Sequence, residues 1–237
     1  MTDADTPGSP GWARRLSELR DAEPSPRRSE LRRLADAVRS VLHRLVQTTA
    51  PVEMIGEAAD DLESIAARFR EHPNASIYEG FAEAANAGRP FAFFDHSPML
   101  GAANPLAPPI ELWLEDDHLA GRARFGAAYE GPPGCVHGGF VAAAFDEVLG
   151  STQSLSGAPG MTARLTVNYR SPTPLHTELR FVGRLERVDG RKIFTTGELW
   201  AGDVLCAEAE GLFVSMRADR FSELKVKREQ LTREPGQ

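Results

Sequence analysis

The chain has 237 residues, 41% of them hydrophobic, and carries 27 Lys and Arg against 34 Asp and Glu, a net charge of −7. Such a chain supports one core of ordinary size plus an extension, and an acidic balance with only short basic clusters (Arg27-Arg28, Arg32-Arg33, Arg191-Lys192) excludes nucleic-acid binding by bulk electrostatics. Two cysteines without metal-ligand spacing, no apolar run near the ~18 residues of a membrane span and no apolar leader segment give the expectation of a cytoplasmic protein with no membrane span.

Residues 1–24 are rich in Pro, Gly, Ser and charge and read as disordered. Ser25-Pro26 is an N-cap followed by proline at the first helical position. From there Leu31, Leu34, Val38, Val41, Leu42 and Leu45 recur at helical spacing to about Gln47. Pro51 restarts the pattern, and Val52, Ile55, Leu62, Ile65 and Phe69 predict a second helix ending near His72-Pro73, so that 25–73 form an antiparallel helical hairpin. Residues 74–109 mix Gly and Pro with aromatics (Phe81, Phe91, Phe93, Phe94) and read as ordered but irregular, the opening part of a domain over 74–217.

From Ile110 the pattern turns to strands. Ile110–Glu115 and Leu119–Phe125 flank the turn signal Asp116-Asp117. A Gly/Pro-rich loop then enters a helix over 138–149, with Gly150 as its stop. Met161–Arg170 alternates, with Met161, Ala163, Leu165, Val167 and Tyr169 on one face and Thr162, Arg164, Thr166, Asn168 and Arg170 on the other. Strands over 177–188, Lys192–Trp200 and Val204–Met216 follow, with turns at Asp189-Gly190 and Gly202-Asp203, and 218–237 form a tail. The fold class is α+β: an antiparallel sheet of about six strands wrapping a central helix, behind an N-terminal helical extension.

The chemistry concentrates in Tyr129–Asp146. The loop ends in His137-Gly138-Gly139 at a helix start, where bare backbone N–H groups favour an anion or a developing oxyanion. Asp146, on the apolar helix that follows, is costly there unless it is paired or used. Each feature also has a bland reading: Asp146 a solvated helix carboxylate beside Glu147, His137 a helix cap, Thr162 an ordinary strand residue, Arg191-Lys192 a hairpin tip. A nucleophilic Cys135 lacks a visible base partner.

At these residues the chain resembles the hotdog-fold thioesterases. His137-Gly138-Gly139 with Asp146 nine positions after the histidine is similar to the PaaI-type branch. Glu130-Gly-Pro-Pro-Gly134, Met161-Thr162-Ala163, Asn168-Tyr169 with Pro172 and Pro174-Leu175, and Val188-Asp-Gly-Arg-Lys192 are similar to its Them branch of acyl-CoA thioesterases. The resemblance covers roughly 105–217. It implies a catalytic group of Asp146 (nucleophile or base), Gly138 (oxyanion donor), His137 and Thr162 (positioning), with Gly139, Asn168, Arg170, Arg191 and Lys192 contacting substrate. It implies hydrolysis of acyl-CoA, medium- to long-chain, in fatty acid metabolism, with no metal and no cofactor, since coenzyme A is part of the substrate. Some relatives carry Asn or Gln before the HGG; here that stretch is Glu130-Gly131-Pro132.

Spacing carries a further expectation. Gly138 and Asp146 stand about 12 Å apart along one helix at ~1.5 Å per residue, whereas an attacked carbonyl needs both within about 3–3.5 Å. Two antiparallel helices related by a two-fold axis supply both, so an obligate homodimer is expected, alone or as a dimer of dimers. The alternatives are a non-catalytic acyl-CoA sensor with the N-terminal hairpin as output, and a hotdog hydratase or dehydratase. The hairpin is expected to pack on the domain as a lid over the acyl tunnel or at the dimer periphery, with an oligomerisation or partner-binding arm as the alternative.

Overall fold

A computed structural model describes residues 25–72, 95–158 and 160–215. The readings for 1–24, for Phe81, Phe91, Phe93 and Phe94, for the end of the last strand at Met216 and for the tail 218–237 fall outside the described residues.

Helix α1 spans Pro26–Leu45; Ser25 caps it by accepting a hydrogen bond from Arg28 N, and proline occupies its first turn. Helix α2 spans Val52–Arg70 and buries none of its residues. Strands β1 (Glu111–Glu115) and β2 (His118–Ala123) form a hairpin in which Asp116, at φ 51°, takes the left-handed turn position. Helix α3 spans Gly138–Thr152, and β3 (Gly160–Tyr169), β4 (Leu179–Asp189), β5 (Lys192–Ala201) and β6 (Val204–Ser215) follow. The sheet is antiparallel throughout, in the order β1-β2-β4-β5-β6-β3. Six strands around one central helix make the hotdog fold.

Helix α3 is apolar nearly all round because it lies against the sheet. Val141, Ala144, Phe145, Val148 and Leu149 are buried, with Phe145 edge-on to Phe181 at 5.9 Å. Fully burying such side chains contributes roughly 1.5–3 kcal/mol each. Sheet glycines make room for the helix: a Cβ on Gly197 would stand 2.9 Å from Leu149 Cδ2, and one on Gly183 would stand 2.2 Å from Thr152 Oγ1.

Three sequence expectations need correction. The helix does not stop at Gly150. It runs to Thr152 and on through a short 3₁₀ turn, Gln153–Ser156, to Gly157 at φ 83°, because Val148, Leu149, Ser151 and Thr152 all find buried positions. The β4–β5 turn falls one residue later than expected, on Gly190-Arg191, since Asp189 pairs with Lys192 and Gly190 takes φ 55°. The alternation of β3 is broken by a bulge: Thr162 faces Phe213 and Arg164 faces Leu212, leaving Ala163 as the extra residue. Thr162 therefore shares the helix-facing side with Leu165, Val167 and Tyr169, while Met161 joins Arg164, Thr166, Asn168 and Arg170 on the other.

Helix α1 is docked on the sheet-and-helix body. Asp95 accepts Nε of both Arg28 and Arg32, the latter at 2.9 Å. Arg39 donates to the carbonyls of Ala107 at 2.8 Å and Asn104 at 2.9 Å. His43 Nδ1 accepts from Ala128 N at 3.1 Å, and its ring meets Tyr129 edge-on.

Candidate active site

The entry loop is held by its own backbone and one carboxylate. Gly131 N donates to Cys135 O at 2.9 Å, and Gly134 N donates to Glu130 Oε1 at 2.7 Å with Gly134 at φ 73°. Glu130 is thus a loop clasp. Cys135 is a half-buried free thiol whose Sγ contacts the Pro133 carbonyl at 3.6 Å.

His137 is the N-cap of α3: its Nδ1 accepts from Gly139 N at 3.0 Å. The ring thereby occupies the Gly139 N–H. Gly138 is the first helical residue, where an N–H has no intrahelical acceptor, so its N–H remains available at the positive end of the helix dipole. Tyr169 lies over this helix start, donating from Oη to Gly138 O at 2.8 Å; a Cβ at Gly138 would stand 3.3 Å from its ring. Tyr169 belongs to this end of the site, and the alternation with Leu165 and Val167 was the signal for it.

Two turns along α3, the Asp146 carboxylate is exposed and accepts from Thr162 Oγ1 at 2.8 Å. The β3 bulge makes this contact, turning Thr162 towards the helix. Beside it, Glu147 accepts from Ser97 Oγ at 3.0 Å. Burial pushes the Glu147 carboxyl up to about 7; the Ser97 hydrogen bond opposes the shift, and the charge of Asp146 adds to it. Nothing in the sequence signals the Ser97 contact, fifty residues away.

The candidate residues fall at two ends of the sheet. Asp146 and Thr162 share one end with the β4–β5 turn, since Met161 and Lys192 both pair with Val214. There Arg191 donates from Nε and Nη2 to Ser215 O at 3.1 and 3.0 Å, and Lys192 is exposed. His137, Gly138 and Gly139 lie at the other end with Tyr169. Asn168 and Arg170 are at this level too, but on the sheet face away from α3, where Arg170 Nε donates to Glu208 Oε2 at 2.6 Å. Some 20 Å of strand, at ~3.4 Å per residue, separates the two ends. One chain does not bring Gly138 and Asp146 together.

Comparison with known proteins identifies the family. The thioesterase superfamily profile matches residues 133–207. The acyl-coenzyme A thioesterase THEM4 of Xenopus laevis is 37% identical over 93 residues, 38% of this chain and 42% of that protein, and its Bos taurus counterpart is 34% identical over 99 residues, 41% of this chain and 40% of that protein. The chain thus spans about two-fifths of the length of the curated relatives it matches. A crystal structure of a thioesterase superfamily protein is 37% identical, with a TM-score of 0.69, covering 78% of this chain and 94% of its own. That 78% is more than the share lying beyond His72, so the likeness reaches into the N-terminal helices. On this evidence the chain belongs to the thioesterase superfamily.

Proposed function

We propose that the protein is an acyl-CoA thioesterase of the PaaI-type, Them-like branch, cleaving acyl-CoA to free acid and coenzyme A. The observation that carries this reading is the Asp146 carboxylate held by Thr162 Oγ1 on the helix whose first N–H, at Gly138, is free to receive an oxyanion. Asp146 delivers the attack on the thioester carbonyl, by taking a proton from water or as the nucleophile itself. The Gly138 N–H stabilises the oxygen of the tetrahedral intermediate, which collapses with cleavage of the C–S bond. Coenzyme A leaves as a thiolate and takes its proton from solvent, so no strong general acid, metal or further cofactor is called for. The names of the THEM4 relatives support the substrate class.

The same geometry supports an obligate homodimer. A two-fold axis reversing α3 would lay the Gly138 end of one chain over the Asp146 end of its partner, completing two sites. Strand β3 supports this: it is a ten-residue edge strand with Met161 52% and Tyr169 55% exposed, and long unprotected edges call for a partner. Asn168, Arg170 and Lys192 are then candidate contacts for the polar and phosphate groups of coenzyme A, with Arg191 shaping the turn that presents Lys192. The acyl chain lies between subunits, and medium to long chains are the expected preference. The two free thiols support a reducing, cytoplasmic setting.

The test is thiol release across a series of acyl-CoA chain lengths, with Asp146→Ala as control. The expected loss on substitution is ~10²-fold or more. A variant that keeps most of its turnover would exclude Asp146 as the reacting group. Single turnover in ¹⁸O-water separates the two routes, because label in Asp146 requires a covalent anhydride.

A further inference from the structure

We propose that Glu147 is a positioning residue for the Asp146 carboxylate, fixed by the Ser97 hydroxyl, and that α1 holds Ser97 in place through Asp95. The inference rests on the proposed role of Asp146 and adds residues that neither the motif nor the family profile assigns.

Ser97 is fully buried and its hydrogen bonds are complete. Its Oγ accepts from Met99 N and Leu100 N, both at 3.1 Å, and its one proton goes to Glu147 Oε1 at 3.0 Å. The hydroxyl therefore has a single orientation. The segment around it is equally fixed: Gly101 N donates to Ser97 O at 3.0 Å and Ala103 N to Asp95 O at 2.9 Å, and a Cβ at Gly101 would collide with both carbonyls, at 2.5 and 2.6 Å. Two residues before Ser97, Asp95 is 5% exposed and receives Arg28 and Arg32 from α1. Continuous contacts thus run from the N-terminal helix to the residue adjoining Asp146.

Helix α1 also reaches the other end of α3. His43 holds the Ala128 amide and packs on Tyr129, whose carbonyl accepts from His137 N at 2.9 Å and whose ring meets Phe140 edge-on at 4.9 Å. His137 caps α3 at Gly138. One helix therefore supports both functional points of α3. A docked helix that served only to cover the core would not need two arginines on a buried carboxylate two residues from Ser97.

Among the described residues, Ser97 and Asp146 are the groups that act on the Glu147 carboxyl. Asp146 on its own helix acts on it directly, Ser97 faces it from the 95–110 segment, and the remaining titratable groups of that segment, Asp95 and His96, act on each other and on Arg28 of α1. Glu147, the more buried of the two adjoining carboxyls, holds its proton to higher pH than an ordinary carboxyl.

The experiment uses the full chain with Ser97→Ala, Glu147→Ala, Glu147→Gln and Asp95→Asn, and two readouts. The first is kcat and KM for an acyl-CoA across pH 5.5 to 9. The expectation is a kcat loss between ~10-fold and ~100-fold in the two alanine variants and a smaller loss in Asp95→Asn, with KM nearly unchanged. Glu147→Gln, which keeps an acceptor for Ser97, should recover most of the loss. The second readout is the ¹³C carboxyl resonance of Asp146, assigned with Asp146→Asn. In the wild type it should show an inflection near pH 7 from ionisation of its neighbour, absent in Glu147→Gln. Turnover within about twofold of wild type in both alanine variants, or an Asp146 resonance without that inflection, overturns the proposal. If no acyl-CoA is hydrolysed by the wild type, the thioesterase reading falls, and the resonance still decides whether Glu147 acts on Asp146.

Discussion

Glutamine at position 147 should stabilise the protein by an amount that grows as pH rises from 4.5 to 7 and stays constant above it. Burial raises the Glu147 carboxyl from its ordinary 4.5 to about 7. Below pH 4.5 folded and unfolded chains both hold the proton, and its contribution to stability is fully present. Between 4.5 and 7 the unfolded chain releases the proton while the folded chain keeps it, so stability falls as pH rises, and above 7 the loss is complete. A shift of that size corresponds to about 3 kcal/mol, at ~1.36 kcal/mol per unit. Glu147 is only half-buried, so residual water lowers the expected effect to roughly 1.5–3 kcal/mol.

Glutamine has no proton to release, fills nearly the same volume and still accepts from Ser97. Urea unfolding of both proteins at pH 5 and pH 8, at one protein concentration, measures the difference. The gap between variant and wild type should widen by that amount from pH 5 to pH 8. Parallel stability curves would refute the claim that Glu147 is held protonated by its surroundings.

Thr162→Val removes the only hydrogen bond seen on Asp146 Oδ1 among the described residues while preserving shape; kcat should fall about tenfold with a stability change near ~1 kcal/mol, read by steady-state kinetics and urea unfolding. Gly183→Ala places a Cβ against Thr152 Oγ1 and should cost roughly 1–3 kcal/mol, and an unchanged melting temperature would contradict the close approach of β4 and α3. Burial lowers the His43 imidazole below its usual 6.5, so the stability it contributes is lost as pH falls from 6.5 through the lower value of the folded ring; the protection of the Ala128 amide against hydrogen exchange should drop only below that lower value, since a protonated ring cannot accept its hydrogen bond. Deleting residues 1–72 leaves the Asp95 carboxylate buried without Arg28 and Arg32; the truncated chain should lose turnover and cooperative unfolding together, whereas a detachable lid would leave a folded protein with an altered chain-length profile.

The helix of the site was legible because its sequence departs from ordinary amphipathic patterning: glycines at its start, apolar residues around it and two adjacent carboxylates. The hairpins were legible from their turns. What escaped reading depends on small backbone events. The bulge at Ala163 inverts the phase of β3, and without it the alternation sets Thr162 on the face away from Asp146. Period-two patterning carries no mark for one inserted residue when both flanking faces are mixed. Gly150 reads as a stop from sequence because a glycine there is compatible with either outcome, and only the burial of Ser151 and Thr152 decides it.

The N-terminal helix was the least legible part for a related reason. Its Leu and Val stripe marks an amphipathic helix, and the sequence suggests that the stripe does the docking. In the structure Leu34, Val41, Leu42 and Leu45 are 36% exposed or more, whereas the polar residues Arg28, Arg32, Arg39 and His43 make the contacts with the body. Those four recur at positions 28, 32, 39 and 43, the spacing of one helical face, yet each partner on the body lies sixty or more residues away, and three of Arg39's acceptors are carbonyls that any sequence would supply. A polar face that docks through backbone carbonyls and one buried carboxylate looks in sequence like a solvated face. The distinction matters for function: a helix held by several directional, partly buried contacts has one seating, and a single seating is what a support for Asp146 and Gly138 requires.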